Sequence, residues 1–507
     1  MTANDRRALS ALFSLVAASV CAHASIAAQP PRATYDRVIL GGRVIDPESH
    51  LDAVRNVGIV GKQIGVVTAV AIQGRDTIDA RGLVVAPGFI DLHSHGQNDE
   101  SYRYYAMDGV TTALEMETGI WPVAEFYASH AGKALVNYGG TAAHFGARRW
   151  AVGEETSGGI EGAASDTRTK WSFSRTTPGI LDSVRTYLAR ALDDGALGIG
   201  MGIAYIPGAS ALEIYRNFQL CAERKVVCFT HLRGTNGDGL LAVQEVVTDA
   251  MATGASLHVV HVNSVAPLDV RVLLDVVRKA REHGADISTE AYPYTASSTL
   301  LQSTIFDQVP EQVARGERKY EDILWSATGE HLTAETYRKY RAIGGFAVAL
   351  NGMPDSAVTI PLADPTVIVA SDAIGYVNHR GHPRLAGTFA RVLGRYVREQ
   401  HVLSLASAVR KMTYVPAKRM EASVPQFRAK GRLRAGADAD VTVFDEAKVV
   451  DRATFEEPAQ YSAGIVHVLV NGTPVVRSGA LVPDVAPGAA IRRPVLDART
   501  SQPRRTP

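Results

Sequence analysis

The stretch Val84-Val-Ala-Pro-Gly-Phe-Ile-Asp-Leu-His-Ser-His95 joins an apolar run to a polar end. A run this short and continuous suits a strand buried on both faces, as in a parallel sheet. Its two histidines stand at i and i+2, so on a strand both imidazoles point to the same side. Seven further runs of the same style follow, at 110–117, 134–144, 196–202, 226–231, 256–261, 285–292 and 366–372. Amphipathic stretches separate several of them. Leu181, Val184, Leu188 and Leu192 share one helix face. Ser210-Ala-Leu-Glu213 has the form of a capping box, and the stretches 240–251 and 270–283 each run up to a glycine, Gly254 and Gly284. Eight strands alternating with helices predict a closed (β/α)8 barrel, a TIM-like α/β fold, over residues 84–430. Segments 145–177 and 303–363 interrupt the alternation and are expected to form loops or a lid over one face.

Both flanks read differently. Residues 34–83 carry alternating runs such as Arg37-Val-Ile-Leu40 and Val57-Gly-Ile-Val60, with turn glycines between them. Residues 431–484 repeat the style, and Ile465-Val-His-Val-Leu-Val470 leads into Asn471-Gly472, a strong hairpin signal. The two ends are expected to fold together into one small β-sandwich domain flanking the barrel. Residues 485–507, rich in Pro, Arg and Ala, are expected to be a flexible tail. At the start, Asp5-Arg6-Arg7, an apolar core at 8–22 and the small-residue segment His23-Ala-Ser-Ile-Ala-Ala28 have the layout of a signal peptide spanning residues 1–28. That predicts a periplasmic or secreted protein.

Bulk composition narrows the classes further. The 507 residues are 46% hydrophobic and 21% charged, which excludes a wholly disordered or fibrous chain. Lys+Arg total 53 against 52 for Asp+Glu, and this balance, with no basic run, excludes a nucleic-acid partner. After the leader no stretch is long and apolar enough for a membrane span. Beyond it only Cys221 and Cys228 remain, too few for a disulfide framework, so both are expected to be small buried side chains.

Active sites of such barrels lie at the C-terminal ends of the strands. Strand one ends in His93 and His95, strand five in His231, strand six in His261 and strand eight in Asp372. Four of fifteen histidines and an aspartate at the same end of four strands point to a metal centre rather than to scattered core histidines.

The motifs around these residues are familiar. Pro87-Gly-Phe-Ile-Asp-Leu-His-Ser-His95 resembles the strand-one signature of the metal-dependent amidohydrolase superfamily. The resemblance narrows to the D-aminoacylase (N-acyl-D-amino-acid deacylase) family through Gly195-Ala-Leu-Gly-Ile-Gly, Tyr205-Ile-Pro-Gly208, Thr230-His-Leu-Arg233 and Tyr292-Pro-Tyr-Thr-Ala296. The longest match is His382-Pro-Arg-Leu-Ala-Gly-Thr-Phe-Ala-Arg-Val-Leu-Gly-Arg-Tyr-Val-Arg-Glu399. What it implies is a metal-dependent hydrolase of the amide bond beside a D-amino acid, carrying one or two Zn²⁺ ions. The substrate would be a small N-acyl amino acid or a short peptide.

One departure stands out. Strand two of the family ends in a metal-binding cysteine, whereas strict counting here puts Thr118 at that position. Glu115 and Glu117 share a strand face, and Glu117, one residue short of the missing cysteine, is taken as the substitute ligand with Glu115 as the fallback. Dihydroorotases, hydantoinases and isoaspartyl dipeptidases use a modified lysine after strand four, but that strand ends Gly200-Met-Gly202 with no lysine.

Amide hydrolysis needs a nucleophile, a polarised carbonyl and a proton for the leaving amine. Bound Zn²⁺ supplies the first two as a metal-bound hydroxide and a Lewis acid. Asp372 can take the water's proton and pass it to the nitrogen, as base and then acid. Arg233 is a candidate grip for the substrate carboxylate, or else a structural salt bridge. The resemblance places Tyr205, Tyr292 and Ser298 in the pocket, gives His144 a supporting role beside the metal site, and leaves His382 and Arg384 to pack the strand-eight loop. Two alternatives remain open: a periplasmic dipeptidase or cyclic-amide amidohydrolase acting on D-residue-containing substrates, and a catalytically inactive ligand-binding barrel.

Overall fold

Each of the eight apolar runs contributes a strand to one parallel sheet. A computed structural model describes residues 34–154, 170–233 and 239–495, so the expected leader lies outside the described residues. The strands are β1 (Phe89–Asp91), β2 (Val110–Ile120), β3 (Asn137–Ala143), β4 (Gly198–Gly202), β5 (Val227–His231), β6 (Ser256–Val259), β7 (Ile287–Ala291) and β8 (Ile368–Val369). They pair in sequence order, parallel throughout, and helices such as Pro178–Asp193 and Val270–Glu282 pack outside them. Thr177 caps the first of these helices through Ile180 N–H, and Val184, Leu188 and Leu192 form its buried face.

Asp91 closes the barrel. Its buried carboxylate accepts the N–H groups of His93 at 3.0 Å and Ser371 at 3.1 Å, and also the Ser371 hydroxyl. Next to it, His95 N–H donates to the Ala373 carbonyl at 2.7 Å. These bonds tie the end of β1 to the end of β8, where His93, His95 and Asp372 stand.

The apolar run 84–95 divides between two sheets instead of staying in one. Val84–Pro87 pairs parallel with Thr34–Asp46 and antiparallel with Val441–Phe444, while β1 begins only at Phe89. At the crossing point Gly88 passes so close to Thr111 that an added Cβ would lie 2.2 Å from its hydroxyl oxygen. Val84–Pro87 thus sits centrally in a nine-stranded sheet built from both chain ends. That sheet has its own core, including Ile39, Val57, Ile78, Val441 and Leu469.

Three further expectations change. The interruption at 303–363 joins Ser297–Leu300 in a folded insert, in which Ser297–Leu300, Phe346–Ala349, Ile323–Trp325 and Glu330–His331 form a four-stranded antiparallel sheet over a core of Phe306, Trp325 and Tyr337. The early part of the tail is ordered. Gly488 N–H donates to Ala134, Ile491 N–H donates to Tyr138, and Ile491 is buried; residues 496–507 lie outside the described residues. Finally, Cys221 and Cys228 form a disulfide. Lys225, left-handed at φ 53°, turns the chain from the helix Ala211–Arg224 straight into β5, which brings the two cysteines back against each other.

Candidate metal centre

Glu117, the carboxylate expected in place of a cysteine, is presented by an irregularity in β2. Glu115 pairs with Gly140 of β3, yet the next pair is Ile120 with Ala142, so β2 advances five residues while β3 advances two. The surplus bulges toward the barrel mouth and carries Glu117 and Thr118. Gly119 permits it with φ +78°, and Gly200 of β4 leaves room for it, since a Cβ there would meet the Glu117 carbonyl at 2.4 Å. A glycine therefore occupies strand four where a longer side chain would collide. Glu115 braces the bulge by accepting Thr118 N–H at 2.9 Å, and it also meets His95 Nδ1 at 2.6 Å.

Two groups of donor atoms converge around Glu117. One comprises His93, His95, Glu117 and Asp372, the other Glu117, His231 and His261. Glu117 Oε2 lies 2.6 Å from His93 Nε2, and its Oε1 lies 2.8 Å from His231 Nδ1. Asp372 Oδ1 is 3.4 Å from Nε2 of both His93 and His95. His261 Nε2 stands 3.0 Å from His231 Nδ1. His261 and Asp372 reach in from left-handed backbone, φ 31° and 53°, a strained conformation of the kind that clusters at functional sites.

The donor set fits a divalent cation. His93 Nδ1 lies 2.5 Å from Glu290 and His95 Nδ1 2.6 Å from Glu115, which keeps the ring proton on Nδ1 in each neutral imidazole. Their Nε2 lone pairs then face each other across 3.2 Å and face the oxygens of Glu117 and Asp372 as well. Lone pairs converging in a buried place repel unless positive charge sits among them. Protons can supply that charge: burial opposes charge on His93 and His95, but the surrounding carboxylates more than offset it and hold both rings well above the ordinary histidine range, and a bound cation would take the place of those protons. Burial also opposes the Glu117 charge, yet His231 and His93 hold its carboxyl well below the usual range.

Behind the centre lies a chain of buried groups that the sequence reading missed. Glu290, in β7, joins His93 to His258 Nε2 at 3.0 Å, and His258 Nδ1 meets Ser288 Oγ at 2.6 Å. The one available signal was a lone acid inside the strand Ile-Ser-Thr-Glu-Ala. Arg384, given only a packing role from sequence, is fully buried with Nη1 2.9 Å from Asp372 Oδ2 and its guanidinium 4.9 Å from the Tyr292 ring centre. Burial opposes the Asp372 charge, but Arg384 and the facing histidines hold its carboxyl well below the usual range.

A cavity opens over the donor atoms. Tyr205, Tyr292 and Ser298 line it, together with Thr118. Arg233 does not: its guanidinium forks onto Glu245 at 3.0 and 3.1 Å, on the helix that follows β5, which matches the salt-bridge alternative. Nor does His144 join either group of converging donor atoms. It pairs with Glu213 at 2.7 Å in a separate buried cluster with Arg148. His382 donates or accepts only locally, with the Ala296 carbonyl and Arg384 N–H.

Comparison with known proteins places this geometry. The Amidohydrolase family matches residues 182–476. The chain is 31% identical to the N-acyl-D-glutamate deacylase of Alcaligenes xylosoxydans xylosoxydans, covering 90% of this chain and 96% of that one. It is 29% identical to the D-aminoacylase of the same organism, covering 87% and 94%. Among solved structures, the Bordetella bronchiseptica N-acyl-D-glutamate deacylase complexed with zinc and a phosphonate inhibitor superimposes with a TM-score of 0.76 at 28% identity, over 91% of this chain and 100% of that one. A D-aminoacylase studied for its binuclear metal centre gives 0.75 at 25% identity, over 90% and 100%.

Proposed function

This chain belongs to the amidohydrolase family, in its D-aminoacylase branch, and from that premise we propose that it deacylates N-acyl-D-amino acids. It is a metal-dependent hydrolase of amide C–N bonds. The observation that carries the finer reading is the pairing of Asp372 with both the donor cluster and Arg384: one carboxylate oxygen faces the histidines and the other faces a buried guanidinium.

His93, His95, Glu117 and Asp372 would hold one zinc ion, and Glu117, His231 and His261 a second, with Glu117 shared. When bound, zinc lowers the pKa of a water and polarises the scissile carbonyl. The remaining task is proton traffic. Asp372, kept ionised by Arg384, accepts a proton at Oδ1 and returns it to the departing nitrogen. Glu115 and Glu290 fix the rings of His95 and His93 so that Nε2 of each faces the reaction.

For the substrate carboxylate, the unsatisfied donors decide. Arg384 Nε and the Tyr292 hydroxyl are buried without a hydrogen-bond acceptor, Tyr292 in the cavity wall and the Arg384 guanidinium 4.9 Å from its ring centre. A donor on a cation beside a phenol suits a carboxylate. Export is supported by the leader-like residues 1–28 and by the Cys221–Cys228 disulfide, a bond that persists in oxidising compartments. The test is a screen of acetylated D- against acetylated L-amino acids and D-containing dipeptides, with metal analysis of the same preparation. Hydrolysis of the acetyl-D-amino acids by zinc-containing protein is expected. Cleavage of the dipeptides alone would replace this reading with a dipeptidase.

A further inference from the structure

The cavity divides chemically into two halves. On one side stand the metal-centre side chains, including the carboxylates of Glu117 and Asp372. The other side is a wall of Phe145, Leu300, Ile305, Phe346 and Ile374. The folded insert supplies three of these five. Leu300 and Phe346 are direct cross-strand partners in its sheet, so their side chains lie on one face of it. Apart from the ring and carboxylate groups at the centre, the polar lining consists of hydroxyls, such as Thr118, Ser298 and Thr299. Among the described residues no lysine or arginine lines the cavity. The nearby guanidiniums are already assigned: Arg233 is forked onto Glu245, and Arg384 gives Nη1 to Asp372 and Nη2 to the Ser298 carbonyl, leaving Nε for the one carboxylate that every such substrate carries.

We infer that this site, taken as the deacylase site proposed above, selects N-acyl-D-amino acids with apolar side chains and discriminates against those with acidic ones. A second substrate carboxylate placed against the apolar wall would lose its water and find no lysine or arginine there among the described residues. Burying an unpaired charge is among the costliest events in a binding site. An apolar side chain against Ile305 and Phe346 instead gains from leaving water. Kinship does not settle the point, because identity to the N-acyl-D-glutamate deacylase and to the D-aminoacylase is 31% and 29%.

The experiment compares acetyl-D-leucine and acetyl-D-methionine with acetyl-D-glutamate and acetyl-D-aspartate on the zinc-loaded full-length enzyme. A preference of about 100-fold or more in kcat/KM for the apolar pair is expected, the scale on which a hydrophobic pocket rejects an added polar group. Calorimetry on Asp372→Asn, which separates binding from turnover, should show acetyl-D-leucine binding about 10-fold or more tighter than acetyl-D-glutamate. Ile305→Arg or Phe346→Arg puts a cation on a half-buried part of the wall and should narrow the preference about 10-fold or more. Acidic substrates within a few-fold of the apolar ones overturn the inference and leave the deacylase reading standing. An unchanged preference in both arginine variants overturns the role of the wall. If no acetyl-D-amino acid of either type is hydrolysed or bound, the deacylase reading falls and takes the inference with it.

Discussion

Glu117 and Glu213 are both buried glutamates facing histidines, and their surroundings differ in kind. Glu213 meets His144 at 2.7 Å, Arg148 at 2.6 Å and the Thr176 hydroxyl at 2.7 Å. Arg148 is a permanent cation, and it also donates to the Trp171 and Ser174 carbonyls, pinning the chain that follows the helix His144–Ala151. That cluster is complete with protein groups. Glu117 has no arginine or lysine partner among the described residues, only histidines, and His93 has already committed its other nitrogen to Glu290. A buried carboxylate with a fixed guanidinium is a strut. Where carboxylate oxygens and imidazole lone pairs converge without one, the arrangement suits a bound cation.

The largest effect expected from this contrast is on turnover. Asp372→Asn keeps the shape and much of the hydrogen bonding but cannot accept a proton. It should fold, keep zinc on the three remaining donors of its group, His93, His95 and Glu117, and on the second group, and lose about 10²-fold or more in kcat, the usual scale of general acid–base work. Turnover within a few-fold of wild type would require a different base. Glu117→Ala comes next. Metal content or activity should fall at least about 10-fold, whereas Glu115→Ala should disturb only the orientation of His95 and do less. The reverse ranking, measured by metal analysis of both purified variants, would make Glu115 the ligand. Glu290→Gln then tests the chain behind His93. Zinc affinity should weaken about 10-fold with the circular dichroism spectrum unchanged. Unaltered affinity would reduce Glu290 to a packing role.

These residues were unequally visible in the sequence. His93, His95, His231, His261 and Asp372 could be read because each ends an apolar run, and strand ends converge in a parallel barrel. Glu117 was legible only as a pair with Glu115, since the bulge that separates their roles depends on pairing with β3. Glu290 lies 197 residues from the histidine it orients, and nothing local marks that contact. Arg233 pairs with Glu245 twelve residues on, across a helix start, a spacing with no periodic signature. The insert escaped because its strands are two to four residues long, too short for alternation to show. The division of the run at 84–95 was hidden for the opposite reason: two strands in different sheets follow without a break in hydrophobicity. The disulfide needed the left-handed turn at Lys225, which spacing alone does not reveal.

The smallest effect on activity should come from the strut. Folded, the Glu213 carboxyl sits at about 2 rather than its ordinary 4.5; burial opposes its charge, and His144, Arg148 and Thr176 more than offset that. Between these two values the unfolded chain binds more protons than the folded one, so stability falls with falling pH through that window. The contribution of Glu213 is therefore full above about pH 4.5 and is lost as the pH drops toward 2. Glu213→Gln leaves Arg148 buried without its counter-charge and should cost about 3–5 kcal/mol near neutrality. Urea unfolding of both proteins from pH 7 downward should show that gap narrowing once the pH passes below about 4.5. Zinc content and kcat should meanwhile stay within about threefold, as expected for sites that share no partners. A gap that stayed constant into strong acid would mean that Glu213 is not held as an ionised partner. A collapse of kcat with zinc intact would break the comparison itself, because it would draw His144 into the chemistry as the competing base to Asp372.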